Sequence, residues 1–395
     1  MTTDWVMLYS TCHSEFLVSC VKVKLGFKSD KALINLILMV KVFYAFFAHF
    51  VYGSMTSLGD TPRYLNASFT FDSSVFTSST KMMDFTGSIV GVLPAPIGYI
   101  PGALLSTFGI VYFFKVLSIS GFIDTYWGRV KFFCLISLPS IGVWTSIHSK
   151  EAVGFFFSSI CAAFLFKLYS GFIKYKKKDW FLLLLSVYLM VIFKPQYCIA
   201  YFSLVSYLLF RNKLSSVTLA CMLTVVVVCQ ISILNYIQPI VDYFALQMYS
   251  HFDSESALST RDNIFISEGD FYKNIIPGVF IAFWGVTFSE ATYSVAKSFS
   301  FIESLILCSM LLTCVLKIYI DIHARLKLNI FHISILLLFV FWLLFVHYPF
   351  GIFNPGSAIR YRNNFIPFLM AAMYLIEGVK VNVIHRLTLK GVSSV

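Results

Sequence analysis

The segment IFHISILLLFVFWLLFV, residues 330–346, is apolar on every face of the helix it would form. A helix of about 20 such residues crosses the ~30 Å hydrocarbon layer of a bilayer, where every backbone polar group must be satisfied within the segment. Residues 32–51, ALINLILMVKVFYAFFAHFV, repeat the pattern. A membrane-spanning β-strand would alternate apolar and polar residues, so these stretches argue against a barrel. Composition agrees: of 395 residues, 58% are hydrophobic, 18% aromatic and 12% charged, whereas soluble domains are about 25% charged. The sequence therefore predicts an all-α polytopic integral membrane bundle and excludes a soluble enzyme, a disordered tail and a fibrous rod.

Hydropathy predicts about ten transmembrane helices, near residues 32–54, 97–119, 131–148, 152–173, 180–193, 197–210, 215–237, 298–320, 330–348 and 364–381. The whole chain, 1–395, reads as one transmembrane domain. Residues 275–288, carrying Pro277, Gly278 and Gly285, and residues 89–100, carrying Pro94 and Pro96, are short apolar stretches that read as re-entrant or interfacial helices. The formal charge of +11 follows the positive-inside bias rather than marking a nucleic-acid partner: with the N-terminus inside, KYKKKD at 174–179 and the Arg325/Lys327 turn are cytoplasmic, as are both termini. Two longer loops then face outward, 55–98 with short helices and 238–274, whose acidic 251–270 part reads as a solvated lid. The first 30 residues show no cleavable signal peptide, and the nine cysteines form no metal-binding spacing.

Charges near a membrane core are costly and mark functional sites or buried pairs. On the outward face they fall into four clusters: Asp60, Arg63 and Tyr64; His148, Lys150 and Glu151; Lys194 in a Lys-Pro-Gln break; and Arg360 and Arg362, flanking Tyr361. In an extended segment the two arginines project to one face, and the Asn354-Pro355-Gly356 start predicts such a shaped loop. Guanidinium groups match phosphate oxygens in two-point contacts, so a diphosphate is the ligand this cluster suits, with Lys150, Lys194 and Arg63 adding charge. Asp60 and Glu151 are the candidate bases; His148 and Glu290 are accessory candidates. Bland readings stand beside these: an Asx turn or an Arg63 ion pair for Asp60, helix-start charge for Glu151, a hydrogen-bonded structural role for His148, pairing with Lys297 for Glu290, and lipid contact for the cations. Lys41, deep in the first span, reads as snorkelling inward. The sequence contains no GxxxxGK[ST], HExxH or GxSxG motif and no paired acidic metal site.

The stretches GDTPRYL (59–65), LPSIGVWTSIHSKEA (138–152), Lys194-Pro195-Gln196 and NPGSAIRYRNNFIPF (354–368), in this order, resemble the O-antigen polymerase (Wzy) type of membrane glycosyltransferase, of the broader GT-C-like group. The resemblance implies polymerisation of undecaprenyl-diphosphate-linked oligosaccharide units on the periplasmic face of a bacterial inner membrane. Arg360, Arg362 and Lys150, aided by Lys194 and Arg63, would stabilise the departing diphosphate, and Asp60 or Glu151 would accept the attacking hydroxyl's proton. It implies no cofactor and no metal; membrane lipids and a chain-length regulator are the expected partners. The alternatives are a GT-C enzyme moving one sugar from a polyprenyl monophosphate, and a flippase or transporter, whose mark would be charge at mid-membrane depth on several helices.

Overall fold

The computed structural model describes residues 30–171, 173, 175–211, 213–252, 260–323 and 330–377. Lys174, Arg325, Lys327, Asp253, Glu255 and both termini lie outside them, and so do the expectations attached to those residues. The described residues form helices joined by turns, with no strand among them.

Six helices are long and apolar enough to cross a membrane: residues 30–55, 97–119, 150–170, 217–236, 295–320 and 331–351. The first is α1 (Asp30–Phe47) continued by a π-helical turn; it is followed by the short α2 (Thr61–Leu65), the surface helix α3 (Ser79–Val90) and α4 (Ile100–Ile119). The predicted span at 131–148 is instead two short helices, α5 (Tyr126–Ile136) and α6 (Pro139–Trp144). Pro139 begins a new helix because proline cannot donate to the preceding turn. Helix α7 (Lys150–Ser170) is the axis of the bundle, 89% of its apolar window buried; the Ser149 side chain caps its first turn, and Gly171, at φ 71°, ends it in the left-handed conformation.

Helices α8 (Lys177–Phe193) and α9 (Tyr197–Phe210) flank the Lys194 break and are short, as the sequence predicts. They are followed by α10 (Ser216–Tyr236) and, after one turn residue, α11 (Gln238–Phe252). Helix α12 (Ile275–Trp284) has ten residues, too few to cross; it lies on the later helix α14, with Gly278 against the Tyr348 ring, and stops at Gly285. Residues 89–100 are a departure: they finish α3, turn and start α4, with no re-entrant helix. The long α13 (Val295–His323) and α14 (Ile330–Gly351) precede α15 (Pro355–Arg362) and α16 (Ile366–Glu377), the last shorter in the described residues than its predicted span.

Close approach at small residues holds α4 and α16 to the axis, since apolar burial gives helices in lipid little reason to associate. Gly109 lets α4 meet Phe156 of α7, and Gly154 of α7 leaves room only for Asn364.

Candidate functional site

At the end of the bundle that carries the 55–98 loop, three segments close on one narrow cleft. The first is the turn into α2. Gly59 adopts φ 62°, and a Cβ there would overlap the Arg360 guanidinium, so the position requires glycine twice over. Asp60 follows; its carboxylate makes no helix cap, accepts from the Tyr64 hydroxyl (3.3 Å) and is 49% exposed. The second segment joins α6 to α7 and supplies Trp144, Lys150 and Glu151. The third is α15.

Asn354 accepts from the Ser357 amide and Pro355 occupies the first turn, so residues 355–362 coil into a helix rather than an extended loop. That corrects the expectation for the two arginines. Two residues along a helix rotate the side chain by about 200°, so they diverge. Arg360 turns into the cleft: its Nε donates to Glu151 Oε1 (2.9 Å), its Nη2 lies 4.0 Å from Asp60 Oδ2, and its guanidinium sits over the Trp144 and Tyr361 rings at 5.2 Å each. Burial works against its charge, but Glu151 and Asp60 hold it ionised. Arg362 turns to the interior, fully buried, donating to the Phe283 carbonyl (2.8 Å) and Ser304 Oγ (2.9 Å). Beside it Glu303, also buried, accepts from the Ser140 amide (2.7 Å), and Asn363 donates to the Ser140 carbonyl (3.1 Å).

Two lysines add charge, one in the cleft and one behind Tyr361. Lys150 Nζ donates to Thr80 Oγ1 (2.8 Å) and has Asp60, Glu151 and Arg360 as charged neighbours. Lys194, in the turn between α8 and α9, lies over the Tyr361 ring at 4.3 Å and the Phe350 ring at 5.6 Å. Removal from water pushes its ammonium down to about 8, with Arg360 and Lys150 acting in the same direction and Glu151 against them. Three cations thus meet two carboxylates. Arg63 stands on the rim, 55% exposed, over the Tyr64 ring and 3.9 Å from Asp84.

The other candidates lie elsewhere. His148 is buried under the 55–98 loop, its Nε2 3.2 Å from the Met83 carbonyl and 3.4 Å from Thr86 Oγ1. Burial lowers its pKa and keeps the ring neutral, so it tethers α3 rather than facing the cleft. Glu290 pairs not with Lys297 but with Arg261, in a two-point contact of 2.8 and 2.7 Å. Arg261 also donates through its amide to the Phe353 carbonyl (2.7 Å) and through Nη1 to the Ile352 carbonyl (3.1 Å), taking up carbonyls just past the end of α14. The described end of the second long loop is therefore strapped down at this point rather than solvated.

Sequence reasoning missed Trp144 and Thr80. A tryptophan within LPSIGVW was a visible signal. Lys41 does not snorkel: it is buried, donates to Thr145 Oγ1 and lies 4.7 Å from the centre of the Phe155 ring. Among the described residues no three His, Cys, Asp or Glu side chains come together as metal ligands would.

A helical membrane bundle with a mixed-charge cleft at one end is the class that fold and site define. Comparison with family models, with curated proteins and with solved structures gives no match to this chain.

Proposed function

We propose that this chain is a membrane glycosyltransferase that polymerises oligosaccharide units carried on an undecaprenyl diphosphate, with the Arg360 cleft facing the periplasm of a bacterial inner membrane. The observation that supports this reading best is the convergence of Arg360 and Lys150 from separate parts of the chain on one cleft, with Lys194 behind the Tyr361 ring and coupled to both charges. A diphosphate leaving group develops negative charge as its bond to the anomeric carbon breaks, and cations fixed in advance lower that barrier. Arg360 is the two-point donor, Lys150 and Lys194 add charge, and Arg63 meets the ligand at the rim. Arg362 drops out of the ligand set because it points away.

The geometry also divides the carboxylates. Glu151, 3% exposed and bonded to Arg360, aims the guanidinium; Asp60, 49% exposed, hydrogen-bonded to the Tyr64 hydroxyl and 4.0 Å from Arg360, is the base that accepts the attacking hydroxyl's proton. Purified protein given lipid-diphosphate-linked repeat units should yield a ladder of products, and Asp60→Asn should yield none. A single added unit would instead point to transfer from a simpler lipid donor.

Transport is the second reading, favoured by one observation: Lys41 on α1, Glu303 on α13 and Arg362 on α15 are charged and buried inside the bundle. Its mark would be movement of intact lipid-linked substrate across proteoliposomes without product formation.

A further inference from the structure

A separate cavity lies away from the cleft, between α5, α13 and α16, and holds about 330 Å³. Its walls are stripes at helical spacing. Lys131 and Leu135 line it from α5, Leu138 from the turn before α6, Ile306 and Met310 from α13, Met370 and Met373 from α16. Positions i and i+4 on α5 span a rise of roughly 6 Å, the length of a short run of methylenes. A second, narrower cavity shares Leu135, Met310, Met370 and Met373 and continues inward to Phe283, whose carbonyl holds Arg362. The two cavities thus share one wall, and the second reaches the residue whose carbonyl holds the buried arginine.

We infer that this groove is a binding site for one hydrocarbon chain of an anionic phospholipid, with the phosphate of its headgroup on Lys131. Three observations carry it. Helix α13, one wall, is among the six that are long and apolar enough to span a bilayer, so the medium at the opening is lipid. Methionine provides three of the contacts, and its unbranched thioether adapts to a chain with changing kinks. At the mouth the charge is uncompensated: Arg129, two residues earlier, is paired with Asp30 at 2.8 Å, whereas Lys131 is exposed and forms no ion pair among the described residues. A lysine near a membrane surface contributes about 1 kcal/mol toward an anionic lipid, enough to select charge without excluding exchange. The groove lies outside the Arg360 cleft, so the inference does not depend on the activity assigned to that cleft.

The test uses the full chain in phosphatidylcholine nanodiscs with a phosphatidylglycerol probe carrying a photoreactive diazirine at mid-chain, read by peptide mass spectrometry. Labelling should concentrate on residues 306–314 and 370–374, and unlabelled phosphatidylglycerol should compete better than phosphatidylcholine by a factor of about five. Lys131→Gln should bring that preference close to unity at unchanged melting temperature, and Ser309→Trp, placed at the groove wall, should remove the labelling. Even labelling of other lipid-exposed positions such as Phe181 and Leu184, or a preference that persists in Lys131→Gln, would overturn the site. Should Ser309→Trp fail to fold, the competition and Lys131→Gln arms decide alone.

Discussion

Arg360 and Arg362 stand two residues apart on one short helix and meet opposite environments. Arg360 has water at one side, two aromatic faces and two carboxylates, one close and one at 4.0 Å. Arg362 has none of that water: a backbone carbonyl and a serine hydroxyl take one nitrogen, and Glu303 lies nearby across Ser140 and Ser304. The first arrangement leaves charge available to a ligand. The second uses charge to fix α15 against α6, α12 and α13, so the same residue type serves binding in one place and architecture in the other.

The sharpest way to break this contrast is to remove the interior member. Arg362→Leu leaves Glu303 buried without its compensating charge and is expected to cost about 3–5 kcal/mol of stability, measured by denaturation in detergent. Adding Glu303→Gln should recover a measurable part of it. If Arg362→Leu instead left stability intact and removed turnover, the interior arginine would belong to the site.

Arg360→Lys keeps the charge and loses the planar fork. It should lower turnover of the lipid-diphosphate substrate by about 100-fold, the scale of losing one transition-state donor, with stability unchanged. A change of only a few-fold would make Arg360 structural like its neighbour.

Gly59→Ala sharpens the comparison from the other side. It places a methyl group on the Arg360 guanidinium at a positive φ, which costs roughly 1–2 kcal/mol on backbone grounds, and it should reduce turnover while leaving the Arg362 region untouched. Selective loss of phosphate-analogue affinity, measured by calorimetry, is the expected result.

The smallest effect is on pH. Lys194 is protonated below about 8 and neutral above it, so anion affinity at the cleft should fall as pH rises from 7 to 9. Lys194→Arg stays charged and should flatten the profile. An unchanged slope in that variant would assign the titration elsewhere.

The membrane helices were legible because the uniform apolarity of residues such as 330–346 is local information. The count was not: Pro139 splits one expected span, and α8, α9 and the described part of α16 are shorter than a full crossing, while hydropathy registers neither a chain break nor whether a short apolar helix crosses. At the site, the residue types and the segments of Asp60, Glu151, Lys150, Lys194 and Arg360 were readable from charge out of place in an apolar chain. The directions were not: Arg362 was expected beside Arg360, and the cap at Asn354 that coils the segment makes its effect only through helical geometry.

By itself the sequence determined that this chain is a helical membrane protein with cations gathered near one set of helix ends, because solvation by lipid acts on each residue type wherever it stands. Only the tertiary structure decided which cation faces the cleft, which carboxylate holds it and which remains open, and that Lys41, Glu303 and Arg362 lie inside. Those assignments depend on side-chain direction and on contacts between segments up to 300 residues apart, which no local pattern encodes.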